Sequence, residues 1–186
     1  MFVASLKDGQ LEELLHIPEP WYIDRVDFSL ATNQLDVFVK FRKNARFPCS
    51  DCGVLDQPVK DIPAKDHQWS HLSFFEYTCY IHAELPRTNC GTCNRMMQVN
   101  VPWALDKPKH YFTLHFDAFI IALAKDMPMN GISRIVDEHD TRLWRILHHY
   151  VDNAIAAQDL TYVTKINTDI ITLPSSWILK KRTSFV

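Results

Sequence analysis

Two short cysteine pairs, Cys49-Ser-Asp-Cys52 and Cys90-Gly-Thr-Cys93, decide the fold of the middle of this chain, and residues 53–89 separate them. A Cys-x-x-Cys turn can place two thiolates on one metal ion, and two such turns complete a tetrahedral shell of soft ligands, which suits Zn²⁺. Four sulfur ligands leave no position for water, so the ion would be structural and would not hydrolyse a substrate. We therefore predict a zinc ribbon whose ligands are Cys49, Cys52, Cys90 and Cys93.

Two other uses of these cysteines have to be compared with zinc binding. Disulfides would need an oxidising compartment, yet Met1 to Asp8 show no basic start followed by an apolar signal core. One Cys-x-x-Cys pair alone could be a thioredoxin-like redox site, whereas two matching pairs without a βαβ pattern are more typical of a metal site.

The fifth cysteine and the histidines between the pairs are not required as ligands. Cys79 lies in the strand-like run Phe74 to Ile81, where we expect it to be buried as a small hydrophobic side chain. Four thiolates already complete the shell, so the nearby histidines are expected to have other roles: His67, His71 and His82.

The composition favours a globular protein. The 186 residues are 47% hydrophobic and 23% charged, and the net charge is −2 with a pI near 6.5. This balance gives no general attraction to nucleic acid, so a DNA-binding role would need a local basic face. No apolar run approaches the roughly 20 residues that cross a bilayer, and we expect a cytoplasmic protein without a membrane partner.

The first 43 residues predict a short helix and a β-hairpin. Leucines at near-helical spacing form the helix, which the prolines after it end: Leu6, Leu11, Leu14, Leu15, Pro18 and Pro20. Trp21 to Leu30 and Leu35 to Arg42 then alternate apolar and polar residues, as in a hairpin with one buried face. Either Val37 and Val39 or Phe38 face inward, depending on the register.

Residues 44–105 predict the zinc ribbon itself. Three stretches between the cysteine pairs have strand composition, and Pro58 would confine the first to a sheet edge: Gln57 to Ile62, Gln68 to Phe75 and Tyr77 to Leu85. Their many aromatic side chains favour a core over a base-stacking surface. A bound zinc ion would compensate for the small size of such a core.

Residues 110–157 change to helical periodicity. The first helix would begin after Thr113 as N-cap and end at Pro128, with this apolar stripe: Phe116, Phe119, Ile120, Leu123 and Met127. A short second helix from Asn130 would bury Ile132, Ile135 and Val136. A tight turn at Glu138-His139 and a third helix capped by Asp140 complete a helix-turn-helix.

The third helix has two candidate faces. Its apolar stripe is predicted to be Leu143, Leu147, Tyr150, Val151 and Ala154. Arg142, Arg145 and His149 lie three and four residues apart on another face, where a recognition helix presents donors to DNA. Arg134 on the second helix could add a phosphate contact. A glycine is common in such turns, and a positive φ at Glu138 would cost about 1 kcal/mol.

Several motifs occur in the order found in one known family: Cys49-x-x-Cys52-Gly53, Trp69-Ser70-His71-Leu72, Tyr80-Ile81-His82-Ala83, Leu85-Pro86-Arg87, Cys90-x-x-Cys93, Val101-Pro102-Trp103-Ala104 and Asp140-Thr141-Arg142-Leu143-Trp144-Arg145. Over positions 47–157 the chain resembles the ISL3 family of bacterial insertion-sequence transposases. The resemblance implies a front region that recognises the element's terminal inverted repeats, followed by an RNase H-like domain with three catalytic carboxylates and divalent metal.

The rear part departs from that family pattern. Residues 158–186 resemble the start of the catalytic domain, with Asp169 matching the first carboxylate, although Asn167, Thr168 and Ile170 stand where other residues are usual. A second aspartate strand and a final glutamate helix cannot be fitted into the residues that remain. We expect a truncated transposase without catalysis, in which Asp169 is vestigial.

The fold expected from the sequence is therefore α+β, with a hairpin, a small antiparallel zinc ribbon and a three-helix helix-turn-helix bundle. The expected partner is duplex DNA from the ends of an insertion element, and the expected protein partners are a full-length transposase or a second copy of the chain. Two alternatives remain open: a zinc-ribbon module that binds protein, and a non-functional transposase remnant.

Overall fold

The computed structural model describes residues 9–106 and 111–157. The chain divides into two compact units, Met1–Phe119 and Ile120–Val186. The elements are α1 (Gln10–Leu14), β1 (Trp21–Ser29), β2 (Gln34–Phe41), β3 (Arg46–Phe47), β4 (Gln57–Asp61), β5 (Asp66–Phe74), β6 (Tyr77–Glu84), β7 (Arg87–Cys90), β8 (Arg95–Gln98), α2 (Leu114–Leu123), α3 (Met129–Val136) and α4 (Asp140–Ala156). The α+β class with antiparallel pairing is confirmed.

Helix α1 has only five residues, and Leu11 within it packs against the core. Leu15, just after the helix, is buried in the core, whereas Leu14 is 57% exposed. The predicted stripe is therefore wrong at Leu14, because five helical residues make too few turns to bury a long stripe. Leu6 lies outside the described residues.

The predicted hairpin is present and belongs to a four-stranded sheet with the order β1-β2-β6-β5, called sheet A here. Its register turns Val37 and Val39 into the core, with Leu35. Phe38 lies on the opposite face, where it stacks on His82 with ring centroids 4.7 Å apart. The alternation of β2 therefore selects the two valines over Phe38.

Sheet A contains one pairing that the sequence did not predict. β2 runs parallel to β6, with Val37 opposite Ile81. Strands β5 and β6, expected in the ribbon, therefore extend the hairpin sheet, and that part of the expected ribbon is wrong. The domain boundaries 1–43, 44–105 and 110–157 remain predictions.

The second sheet, called sheet B, has the order β3-β4-β7-β8 and carries both cysteine pairs. All of its pairings are antiparallel. β4 lies between β3 and β7, so the expected edge position of Pro58 is wrong. Pro58 is tolerated because the two-residue strand β3 leaves that side of β4 almost free.

A tryptophan cluster forms the centre of the core in the first unit. The ring of Trp103 meets Trp21 and Trp69 edge-on, with centroids 5.2 Å and 5.7 Å away. Phe47 from β3 also packs against Trp21. This core therefore includes residues from sheet A, from sheet B and from the segment after β8.

Thr113 begins α2 as predicted. Its Oγ1 accepts a hydrogen bond from the N–H of Phe116 at 3.3 Å, which satisfies one free donor of the first turn. The helix ends at Leu123 and not at Pro128, and Phe119 is 38% exposed. Among the helices within the described ranges, none is long and apolar enough to cross a membrane.

Helices α3 and α4 contact each other in the second unit. Ile132, Leu143 and Ile146 are completely buried there. Ile135, predicted to face inward, is 59% exposed, so that prediction is wrong. The stripe predicted for α4 is right at Leu143, but the next buried position is Ile146 and not Leu147, because the burial follows the i, i+3 spacing.

A buried histidine links sheet A to the start of α2. The Nδ1 atom of His71 lies 2.8 Å from Thr113 Oγ1. Burial, helped by the nearby His115, lowers the pKa of His71 to about 4. His71 is therefore neutral in the folded protein at pH 7, where its bond to the hydroxyl needs no charge.

We predict that Ile81→Ala lowers the free energy of unfolding by about 2–5 kcal/mol, because the side chain is fully buried beside Val37 in the parallel pair. Ile62→Ala is the matched control, since Ile62 is 48% exposed. Urea denaturation followed by tryptophan fluorescence measures both changes. Equal losses in the two variants would contradict the burial of Ile81 between β2 and β5.

The low pKa of His71 predicts a loss of stability in acid. Between pH 6.5, the ordinary histidine pKa, and about 4, the unfolded chain binds a proton that folded His71 does not, so stability falls as the pH falls. At pH 5 this amounts to about 2 kcal/mol. His71→Gln should reduce the difference in unfolding free energy between pH 7 and pH 5, and an undiminished difference in this variant would refute the assignment.

Candidate metal centre and helix-turn-helix

The first cysteine pair lies in a tight turn after β3. The N–H of Cys49 donates to the carbonyl of Val54 at 2.8 Å, and the N–H of Gly53 donates to the carbonyl of Cys49 at 2.9 Å. Gly53 has a φ of 73°, a conformation that glycine adopts without steric cost. These bonds fold Cys49 and Cys52 back toward each other.

The second pair forms the turn of the β7–β8 hairpin. Cys90 is the last residue of β7 and pairs with Arg95, the first residue of β8. Asn94 closes the turn with a φ of 53°, which asparagine tolerates better than most residues. The hairpin thus presents Cys90 and Cys93 at one end of sheet B.

The four sulfur atoms converge on one point. Cys49 Sγ lies 3.7 Å from Cys93 Sγ, Cys52 Sγ lies 3.6 Å from Cys90 Sγ, and all four lie within 4.8 Å of one another. A tetrahedral zinc ion with Zn–S bonds of about 2.3 Å requires sulfur separations of about 3.8 Å. The geometry therefore fits a zinc ion, and no second group of this kind occurs in residues 9–106 and 111–157.

Backbone donors favour thiolate at the first cysteine of each pair. Hydrogen bonds from the amides of Cys52 and Asp51 lower the pKa of Cys49, and the amide of Cys93 lowers the pKa of Cys90 to about 6. Burial and the neighbouring Cys90 thiol raise the pKa of Cys93 to about 12. Adjacent thiolates repel one another, so only a bound cation allows all four to ionise.

Two contacts that the sequence did not predict fasten the first pair to β8. Arg95 forms an ion pair with Asp51 at 3.1 Å, and Ser50 Oγ donates to the carbonyl of Gln98 at 2.7 Å. Ser50 and Asp51 are the two residues between Cys49 and Cys52. Their position inside the Cys-x-x-Cys motif is the only sequence signal that could have indicated these contacts. Both contacts join the first cysteine turn to the strand that follows the second.

The remaining thiol and histidines lie apart from the sulfur group. Cys79 is fully buried in β6, as predicted, and burial raises its pKa to about 12. His82 is held between Asp36 and Asp66, with ring nitrogens 2.7 Å and 2.9 Å from their carboxylate oxygens. His67 and His71 are buried in β5.

A three-residue turn joins α3 to α4. Asp137, and not Glu138, takes the positive φ, at 52°. The Glu138 N–H donates to the Ser133 carbonyl at 3.2 Å, and Ser133 Oγ donates to the Glu138 carbonyl at 2.6 Å. The N-cap of α4 is His139, whose side chain accepts from the N–H of Thr141, so the predicted cap at Asp140 is wrong by one position.

The structure places the four predicted DNA-contact residues in different environments. Arg134 on α3 and Arg145 on α4 are exposed. Arg142 forms an ion pair with Glu138 one turn earlier. His149 is half-buried, and its Nε2 lies 3.1 Å from the side-chain nitrogen of Asn153.

This helical segment matches a known family. Residues 99–151 match the helix-turn-helix domain of transposase family ISL3. This segment therefore contains a helix-turn-helix domain of the ISL3 transposase type. The family predicted for this region is thereby confirmed, and no curated protein and no solved structure matches the chain.

The match suggests a DNA-binding role for the α3–turn–α4 segment, because a helix-turn-helix of a transposase is a DNA-binding element. The matched residues do not include Asp169, which lies outside the described residues together with the whole of 158–186. Its vestigial role therefore stays a prediction.

We predict that the purified protein contains one Zn²⁺ per chain and that Cys52→Ser loses it, because three sulfurs bind zinc more weakly than four. Cys79→Ala is the matched control, since Cys79 is buried elsewhere, and it should keep the ion. Elemental analysis by plasma mass spectrometry measures both. Equal zinc contents in the two variants would contradict the four-sulfur site.

Proposed function

We propose that this protein binds duplex DNA at the terminal inverted repeats of an insertion element and reads it with α4. The observation that carries the proposal is the ISL3 helix-turn-helix match over the segment in which α3, a three-residue turn and α4 follow one another. In this motif the second helix enters the major groove and the first crosses the backbone. Helices α2, α3 and α4 would form the three-helix bundle of that motif.

Local cations, and not net charge, would provide the attraction to DNA. The net charge of −2 gives the chain no overall preference for phosphate. Arg134 and Arg145 are exposed on the two helices of the motif, where they could neutralise phosphates or reach bases. Arg142 and His149, the other two residues predicted to contact DNA, each have a partner within the helix or the turn.

The zinc ion would act as a structural element. When bound, it supplies a charge-neutralising centre for four thiolates and no open position for water. Cys49, Cys52, Cys90 and Cys93 would hold it at the end of sheet B. The proposed DNA contacts then require no chemistry at the metal.

A zinc-ribbon protein that binds another protein is the second candidate. It is favoured by exposed apolar side chains next to the cysteine pairs, since Leu55 is 73% exposed and Met96 is 49% exposed. Surfaces of this kind occur at protein interfaces. A protein-binding module would not retain DNA at any ionic strength, which separates it from the first candidate.

We predict salt-dependent retention of duplex DNA and a loss on removing Arg134. In fluorescence anisotropy with a random-sequence duplex, Arg134→Ala should weaken binding and lower the slope of log affinity against log salt by about 1, because one phosphate contact disappears. Arg42→Ala is the matched control, since Arg42 is also exposed but lies in the first unit, paired with Glu19. Absence of binding by the wild-type protein at low salt would refute the DNA-binding function.

A further inference from the structure

We propose that the base-reading surface of α4 is the stripe formed by Thr141, Arg145 and His148, with Trp144 as the residue that positions the His148 ring. This inference rests on the proposed DNA-binding function. In this assignment His148, and not His149, contacts the bases, and Arg142 stabilises the turn before α4.

The burial of α4 fixes which side can meet DNA. Leu143 and Ile146 are completely buried and define the inner side of the helix. At about 100° of rotation per residue, positions 141, 145 and 148 lie together on the opposite side. All three side chains are exposed there. Arg142 and His149 lie roughly a quarter-turn away from that direction.

The partners of Arg142 give it a different role. Its guanidinium pairs with the carboxylate of Glu138, whose side chain is only 16% exposed. A guanidinium that left this ion pair for a base would give up an electrostatic interaction with a largely buried carboxylate, which is costly. Arg142 therefore holds the turn and the first turn of α4 in place, and it is a positioning residue.

The adjacent histidines His148 and His149 contact different side chains. His149 contacts Asn153 through Nε2 and meets the ring of Tyr150, with centroids 5.3 Å apart. His148 instead packs on Trp144, with ring centroids 5.6 Å apart. A side chain whose rotamer is already restricted loses less entropy when it binds. Trp144 thus restricts the imidazole of His148, which is exposed.

Each member of the stripe matches a known mode of base recognition. Arg145 can donate two hydrogen bonds to the O6 and N7 atoms of guanine. His148 can donate to the N7 of a purine. The hydroxyl of Thr141 is engaged by His139 Nδ1 at 2.9 Å, which leaves its methyl group for a thymine methyl. The ligand class is therefore a short major-groove site that contains guanine.

An acidic residue ends the stripe. Asp152 lies one turn beyond His148 on the same side and is exposed. A carboxylate there would repel the phosphates that line the groove. The reading surface is therefore confined to the first turns of α4, the part of a recognition helix that normally meets base edges.

The test compares His148→Ala with His149→Ala, two neighbouring substitutions of the same chemistry on one helix. The zinc-loaded full chain first selects its preferred site from a pool of random duplexes. Affinities for that site and for an unrelated duplex are then measured by fluorescence anisotropy, and their ratio gives the specificity. His148→Gln repeats the measurement with a side chain closer in volume, and thermal unfolding verifies that each variant is folded.

We expect His148→Ala to lower the specificity ratio about tenfold and to change the affinity for unrelated duplex less than about twofold, because a base contact and not a phosphate contact is lost. His149→Ala should leave both quantities within about twofold. Equal ratios for the two alanine variants, with the wild-type protein still selecting a site, would overturn the assignment of the stripe alone. If the wild-type protein selects no sequence and binds no duplex, the proposed function fails and this inference fails with it.

Discussion

The convergence of four sulfurs at the end of sheet B is the constraint on which the rest of the ribbon depends. The cysteine pairs come from two turns that are far apart in sequence, and sulfurs from different pairs lie 3.6 Å and 3.7 Å apart. A cation bound there closes the chain between residues 49 and 93. Sheet B needs this help, because its strands contain only two to five residues and could not stabilise one another alone.

The long separation of the cysteine pairs has a structural explanation. After β4 the chain leaves sheet B and forms β5 and β6, which complete sheet A beside the N-terminal hairpin. It then returns to sheet B as β7. Sheet A therefore shares its core with the ribbon through Trp21, Trp69 and Trp103. The tryptophan cluster stabilises this unit by apolar burial, and an ion bound by the four cysteines would add stabilisation by coordination.

The sequence predicted the features that depend on local spacing and missed those that depend on distant partners. The cysteine spacing identified the metal site, and the alternation of β2 limited its inner face to two choices. The parallel pairing of β2 with β6 could not be predicted from the sequence, because strands that join sheet A and strands that join sheet B have the same apolar composition. On α4 the periodicity predicted Leu147 as a buried residue, whereas the packed helix buries Ile146 instead. At the turn, Asp137 takes the strained conformation in place of Glu138, since a short acidic side chain tolerates it better.

The functional account joins a structural metal centre in the first unit to a helix-turn-helix that occupies the matched family region. Its central claim is that both cysteine pairs bind one ion, and X-ray absorption spectroscopy at the zinc edge of the loaded protein tests it most directly. The account predicts four sulfur neighbours at about 2.3 Å. Nitrogen or oxygen neighbours at about 2.0–2.1 Å would contradict it, because the ion would then be bound outside the four-sulfur site.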